Sequence, residues 1–268
     1  MGINFTFKEK YDIQDLISIM DTLRGEQGCP WDREQTHGSI RKNLIEETYE
    51  VAEAIDNGDA ALLCEELGDL LLQVVFHAQM EKEQGSFDFD DVCNGICQKL
   101  IERHPHIFAD VIANTPAEVL SNWEDIKKRQ KGQTTATETL RSVPKVLPAL
   151  MRAGKVQSRA AKTGFDYPDV QWAFSDLCSE VEELREALAA GDKPSQQEEL
   201  GDLLFSAVNV ARFLGADPEE TLSESCEKFI SRFEKVEAMA SAQGVDIKKC
   251  SIDQLNSLWQ EAKSVTQN

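Results

Sequence analysis

Eight carboxylates stand out by their spacing. Glu47 and Glu50 precede Glu66 and Asp69; Glu180 and Glu183 precede Glu199 and Asp202. Both sets read Glu-x2-Glu-x15-Glu-x2-Asp, and adding 133 to each residue number of the first set gives the second. The heptapeptide Glu-Glu-Leu-Gly-Asp-Leu-Leu occurs at 65–71 and again, letter for letter, at 198–204. Residues three apart share one helix face, so each acidic pair projects together. The intervening 15 residues suffice to end one helix, turn, and start an antiparallel one. Folding back then sets the two pairs face to face. Four negative charges in one cleft repel strongly unless a cation sits among them. Hard oxygen donors suit Mg²⁺, with Mn²⁺ as a substitute, and Mg²⁺ readily bridges carboxylates to substrate phosphates.

Further residues recur in the same order. Lys99 and Arg103 are matched by Lys228 and Arg232, and Trp123 and Lys127 by Trp259 and Lys263. Lysine and arginine one helical turn apart could clamp phosphates, or simply decorate a helix surface. The tryptophans could stack on a nucleobase or pack a helix into the core. Gly68 and Gly201 sit mid-helix beside the acids, where glycine costs about 1 kcal/mol against alanine. Accepting that cost twice points to a close helix approach or a ligand needing room.

The positioning elements are helices. Apolar residues Ile13, Leu16, Ile17, Met20 and Leu23 follow the 3.6-residue period, with Asp12 as N-cap and Gly25 as stop. Further helices are expected at 39–56, from Asp59 to about Gln84, at 90–103 and at 117–129. After a break they resume at 149–162, 169–190, 195–214, 218–243 and 252–266. His104-Pro105 should end the fourth, because proline disfavours helix in the residue before it. Residues 130–139 (QKGQTTATET) contain no large apolar residue and read as a flexible linker. No alternating β-branched run argues for a sheet. The expectation is an all-α protein of two tandem helical bundles, at 1–129 and 146–268, joined by a linker at 130–145.

Composition narrows the partners. The chain carries 48 acidic and 28 basic residues, a net charge of −20. Such a surface repels nucleic-acid polymers and anionic membranes, so cations should mediate any contact with phosphate. No apolar run is long enough to span a membrane, and the N-terminus shows no secretory signal. The seven cysteines lack any CxxC pair and read as reduced, mostly core-filling thiols of a cytoplasmic protein. Cys93 and Cys97, one turn apart, lack further ligands at metal spacing. A di-iron helical-bundle oxidase would need Glu-x-x-His on two helices, and the lone match, Glu34-x-x-His37, falls outside the repeats. The alternative to an enzyme is an acidic helical adaptor, which leaves the matched carboxylate sets unexplained.

Glu-Thr-Tyr-Glu (47–50), Glu-Val-Glu-Glu (180–183) and the doubled heptapeptide resemble the MazG nucleotide pyrophosphohydrolases, within the all-α NTP pyrophosphatase superfamily. Gly28-Cys29-Pro30-Trp31-Asp32 and Arg103-His104-Pro105-His106-Ile107-Phe108 resemble stretches of its two-domain bacterial members. The resemblance covers roughly residues 12–265. It implies helical bundles in which metal-binding helices pair, dimerisation, and hydrolysis of NTPs or dNTPs to NMP and pyrophosphate with Mg²⁺ and broad base tolerance. In tandem members the C-terminal copy is usually taken as active. Carried over by motif, Glu180, Glu183, Glu199 and Asp202 would be the catalytic metal ligands. Lys228, Arg232, Trp259 and Lys263 would contact nucleotide. The N-terminal counterparts Glu47, Glu50, Glu66 and Asp69 are all present, so a second metal site is expected there.

Overall fold

Helix caps written into the sequence set the elements. In the computed structural model, described for residues 5–266 other than 112–114, 117, 120, 121, 124, 125, 127–129, 131 and 133, the chain is helical, with no strand among the described residues. We number the helices α1 (Ile13–Arg24), α2 (Pro30–Glu34), α3 (His37–Asp56), α4 (Ala60–Glu83), α5 (Phe89–Arg103) and α6 (Pro105–Phe108). They continue as α7 (Ala136–Arg141), α8 (Ala149–Ala161), α9 (Val170–Ala190), α10 (Lys193–Leu214), α11 (Pro218–Ala242) and α12 (Ile252–Thr266). Asp12 caps α1 by accepting from Gln14 N and Asp15 N. Asp59 and Asp169 do the same for α4 and α9, as short acceptors at an N-cap should.

Two compact units divide at Lys127 and Lys128. In the first, α3 and α4 form the main helical pair and α1 packs on α4. Its core is Met20, Ile40, Val75, Phe76 and Met80. In the second, α9 pairs with α10, α8 lies on α10, and α11 packs on α12 around Val236, Ala240, Leu258 and Ala262. No helix among the described residues is long and apolar enough to cross a membrane.

Three short helices were not expected. The first is α2, inside the Gly-Cys-Pro-Trp-Asp stretch. Gly28 enters it because the chain doubles back there: a Cβ on Gly28 would lie 2.1 Å from Leu23 O. The second, α6, starts at Pro105, the first-turn position that proline favours. The third corrects the linker. Within 130–145 the chain is helical at Ala136–Arg141, capped by the Thr135 hydroxyl, with Glu138 closing the capping box. Polar caps, lacking apolar periodicity, hid it. Arg159 of α8 holds it by donating to Thr139 O and to Ser142 Oγ. The helix expected at 117–129 falls largely outside the described residues.

The cysteines also differ from expectation. All seven are free, but none is buried: Cys64, Cys97, Cys178 and Cys226 are exposed and the others half-buried. Cys64, Cys93, Cys97, Cys178 and Cys226 sit on helices, and Cys29 and Cys250 at helix ends. Cys64, for instance, shares its face with Leu67 and Leu71, 48% and 38% exposed.

Candidate metal and active site

Each helical pair carries one carboxylate set. Glu47 and Glu50 project from α3 towards Glu66 and Asp69 of α4; Glu180 and Glu183 project from α9 towards Glu199 and Asp202 of α10. One oxygen each from Glu47, Glu66 and Asp69 lies within 4.8 Å of the others, and so does one each from Glu180, Glu199 and Asp202. The fourth acid of each set joins electrostatically. Partial desolvation, then Glu50 and Asp69, push Glu47 above the ordinary carboxylate range. Desolvation, then Glu50, Glu65 and Asp69, raise Glu66. In the second copy desolvation, then Glu183, Asp176 and Asp202, raise Glu180, while desolvation followed by Glu183, Glu198 and Asp202 raises Glu199.

These shifts carry a sign. A carboxyl whose folded pKa exceeds its ordinary value of 4.5 holds its proton more tightly when folded. Its contribution is most favourable below pH 4.5 and turns unfavourable as pH rises through the raised folded value. Without divalent cation, wild-type protein should therefore lose stability against Glu180→Gln/Glu199→Gln on going from pH 4 to pH 7. Thermal melts of both across that range check this; parallel curves would show that the acids do not repel.

The two glycines lie elsewhere than expected. On α4, Gly68 falls on the face of Cys64, Leu67 and Leu71, opposite Glu66 and Asp69; Gly201 falls with Leu200 and Leu204. A Cβ on either would meet no atom within 4 Å. They leave room on an outward apolar face, away from the acids.

The basic and aromatic residues are placed on the neighbouring helices. Lys228 and Arg232 are on α11, and Trp259 and Lys263 on α12. The charges acting on Glu199 are all negative, and these cations are not among them. Arg232 Nε is buried with no hydrogen-bond partner among the described residues. The Trp259 ring packs 5.1 Å from Phe229 and against the α11–α12 core. In the first copy Lys99 and Arg103 end α5, and the Arg103 guanidinium lies 5.3 Å from the Trp123 ring centre. Lys127 lies outside the described residues. His104, which caps α5, has its Nδ1 2.6 Å from Leu100 O, a structural role.

Sequence reasoning missed Asp176 and its partners. Asp176 accepts from Ser206 Oγ at 2.8 Å and from the Tyr167 hydroxyl, whose ionisation it pushes up. It lies one turn before Glu180, where the first copy has Asn43. Comparing the copies position by position would have exposed that difference.

Two acidic helical hairpins, each gathering its own set of hard oxygen donors, place the molecule among all-α proteins built on tandem carboxylate modules. The model of the MazG nucleotide pyrophosphohydrolase domain matches twice, over residues 35–108 and 171–237, and the chain belongs to this family. A Thermotoga maritima protein named nucleoside triphosphate pyrophosphohydrolase/pyrophosphatase MazG is 42% identical over 250 residues, covering 93% of this chain and 95% of its own length. An Escherichia coli K12 protein named nucleoside triphosphate pyrophosphohydrolase is 44% identical over 256 residues, covering 94% and 97%. YabN of Bacillus subtilis, described as uncharacterized, is 47% identical over 254 residues, which are 94% of this chain but 52% of that protein.

Proposed function

We propose that the chain is a Mg²⁺-dependent nucleoside triphosphate pyrophosphohydrolase, converting NTPs and dNTPs to NMP and pyrophosphate with broad base tolerance. The carrying observation is the convergence of Glu180, Glu199 and Asp202, one oxygen of each within 4.8 Å of the others, where desolvation and the nearby Glu183 raise Glu180 and Glu199. The names of the Thermotoga and Escherichia relatives support the same activity. An all-oxygen, partly solvated donor set fits Mg²⁺ and accepts Mn²⁺. Glu180, Glu183, Glu199 and Asp202 would hold the ion, which when bound supplies neutralisation of the triphosphate and acidification of water. The N-terminal set Glu47, Glu50, Glu66 and Asp69 offers a second such site.

The chain's own groups account for the rest. One carboxylate of the C-terminal set, its proton affinity raised by desolvation and by its neighbours, accepts the proton of the attacking water. That water adds in line at the α-phosphorus as the bond to pyrophosphate breaks. Lys228, Arg232 and Lys263 stabilise charge building on the phosphates. Trp259, wedged against Phe229, fixes the α12 turn that carries Lys263.

Purified protein incubated with ATP, the four dNTPs and Mg²⁺ should yield NMP and pyrophosphate, and chelation should stop it. NDP with inorganic phosphate, or no turnover across the panel with either metal, would overturn the reading. Mg²⁺ at about 100 times its Kd should also stabilise the fold by about 2.7 kcal/mol.

We read the protein as a cytoplasmic homodimer. Leu67 and Leu71 on α4, and Leu200 and Leu204 on α10, are 38–50% exposed. Each pair flanks a glycine that lets another helix come close. Sedimentation velocity tests this: a monomer at micromolar concentration would exclude it.

A further inference from the structure

Two of the four histidines join helices of the N-terminal unit. His37 is the first residue of α3, and His77 lies on α4. Their Nδ1 atoms are 2.7 Å apart, with the ring planes within 4° and the ring centres 5.0 Å apart. The two nitrogens thus point at one another, with room for one proton between them: one ring donates and the other accepts. Glu81, one turn beyond His77, places Oε1 2.8 Å from His37 Nε2. That carboxylate favours the proton on His37 Nε2, which leaves His37 Nδ1 to accept from the His77 Nδ1–H. His77 Nε2 is buried with no hydrogen-bond partner among the described residues.

Such a pair tolerates acid poorly. A first added proton sits on His77 Nε2, where nothing accepts it. A second sets N–H against N–H and two positive rings side by side. Burial, then the charge of His37, hold His77 below its ordinary 6.5. The contact is therefore complete above 6.5 and is lost as pH falls through the depressed folded value.

The surrounding charges do not relieve this. Asp21 of α1 is engaged by Lys82 and Gln79, Arg24 of α1 by Glu83, and Asp91 of α5 by the backbone of its own cap. On α3 itself Arg41 follows His37 by one turn, a like charge. Glu81 faces His37, and His37 is the charge that His77 feels. The metal-site acids are remote: His77 comes eight residues after Asp69, about 12 Å along α4.

The repeat provides an internal comparison. Adding 133 to 37, 77 and 81 gives Val170, Val210 and Leu214. Val170 is the first residue of α9, as His37 is of α3. The second hairpin pairs its helices with aliphatic residues at all three places, so the hairpin does not need the histidines to form.

We propose that the His37–His77 pair is a pH-sensitive latch: one shared proton fastens the start of α3 to α4 near neutral pH, and double protonation in mild acid releases the first turn of α3. Ile40, 2% exposed in the core, confines the release to that turn. The second copy has no such latch, so the response belongs to the N-terminal hairpin alone.

Hydrogen exchange, corrected for its intrinsic pH dependence, tests this on the whole chain. Between about pH 7.5 and about pH 5, exchange at the start of α3 should accelerate by about tenfold while the start of α9 stays unchanged. His37→Val/His77→Val, which gives the first copy the residues of the second, should abolish the acceleration. Nitrogen-15 spectra of the wild-type histidine rings need no variant. They should show His37 and His77 titrating as a coupled pair, His77 below 6.5, with the Nε2–H form of His37 at neutral pH. Independent titration of the two rings, equal acceleration at α3 and α9, or an undiminished response in the folded double variant would overturn the proposal.

Discussion

Glu180→Ala/Glu199→Ala protein should lose nucleotide turnover by a factor on the order of 10³ or more while keeping its helices. The two side chains come from opposite helices of one pair, so the double change empties the cleft from both sides. Both are half-buried at the helix surface, and neither anchors the core. Desolvation, then the neighbouring carboxylates, push their pKa values up, which means that their charges oppose folding when no cation is present. The variant should therefore melt no lower than wild type in chelator, and should gain nothing from Mg²⁺ at the C-terminal site. Far-ultraviolet circular dichroism and melting with and without Mg²⁺ separate lost chemistry from lost fold. Glu47→Ala/Glu66→Ala is the matched control. If turnover survives the first pair and falls with the second, catalysis belongs to the N-terminal copy. If it survives both, the carboxylates are not the reaction centre.

The carboxylate sets were legible because helical spacing and duplication are both written in one dimension. Residues three apart on a helix must share a face, and an offset kept across four acids needs no coordinates. Long helices with aspartate N-caps, such as α1, α4 and α9, were legible for the same reason. What escaped depends on contacts distant in sequence. The α7 helix owes its place to Arg159, about twenty residues away, which apolar periodicity does not report. Gly68 and Gly201 were assigned to the acids from proximity in sequence, while the 100° step of the helix turns them to the other side. Asp176 was overlooked because the search sought what the copies share. The copies also part at Asn209 against Phe76 and at Ser206 against Gln73, differences that a search for shared residues passes over.

Arg24→Ala should weaken the N-terminal unit by on the order of 3 kcal/mol. The side chain is 8% exposed, at the last residue of α1. Its Nε and Nη2 donate to the two Glu83 oxygens, each at 2.7 Å, the bidentate form that only arginine provides. Its Nη1 donates to Asp32 O and to Gln35 O, and the guanidinium lies 5.4 Å from the Phe76 ring centre. One residue thus ties α1, the end of α2 and the last turn of α4. Truncation leaves two carbonyls and a carboxylate without that donor and removes the stem that covers Phe76. Arg24→Lys keeps the charge and loses the fork, so it should fall between the two. The pH sense is opposite to that of the acidic sets. Arg24 holds Glu83 below its ordinary 4.5, so this stabilisation is complete above 4.5 and is lost as pH falls through the depressed folded value. Peptide-resolved hydrogen exchange reads the effect locally. Protection should drop in α1 and α4, the helix that carries Glu66 and Asp69, and persist in α9 and α10. Equal loss in both units would mean that they unfold together; no loss in α4 would mean that apolar contacts alone hold α1 in place.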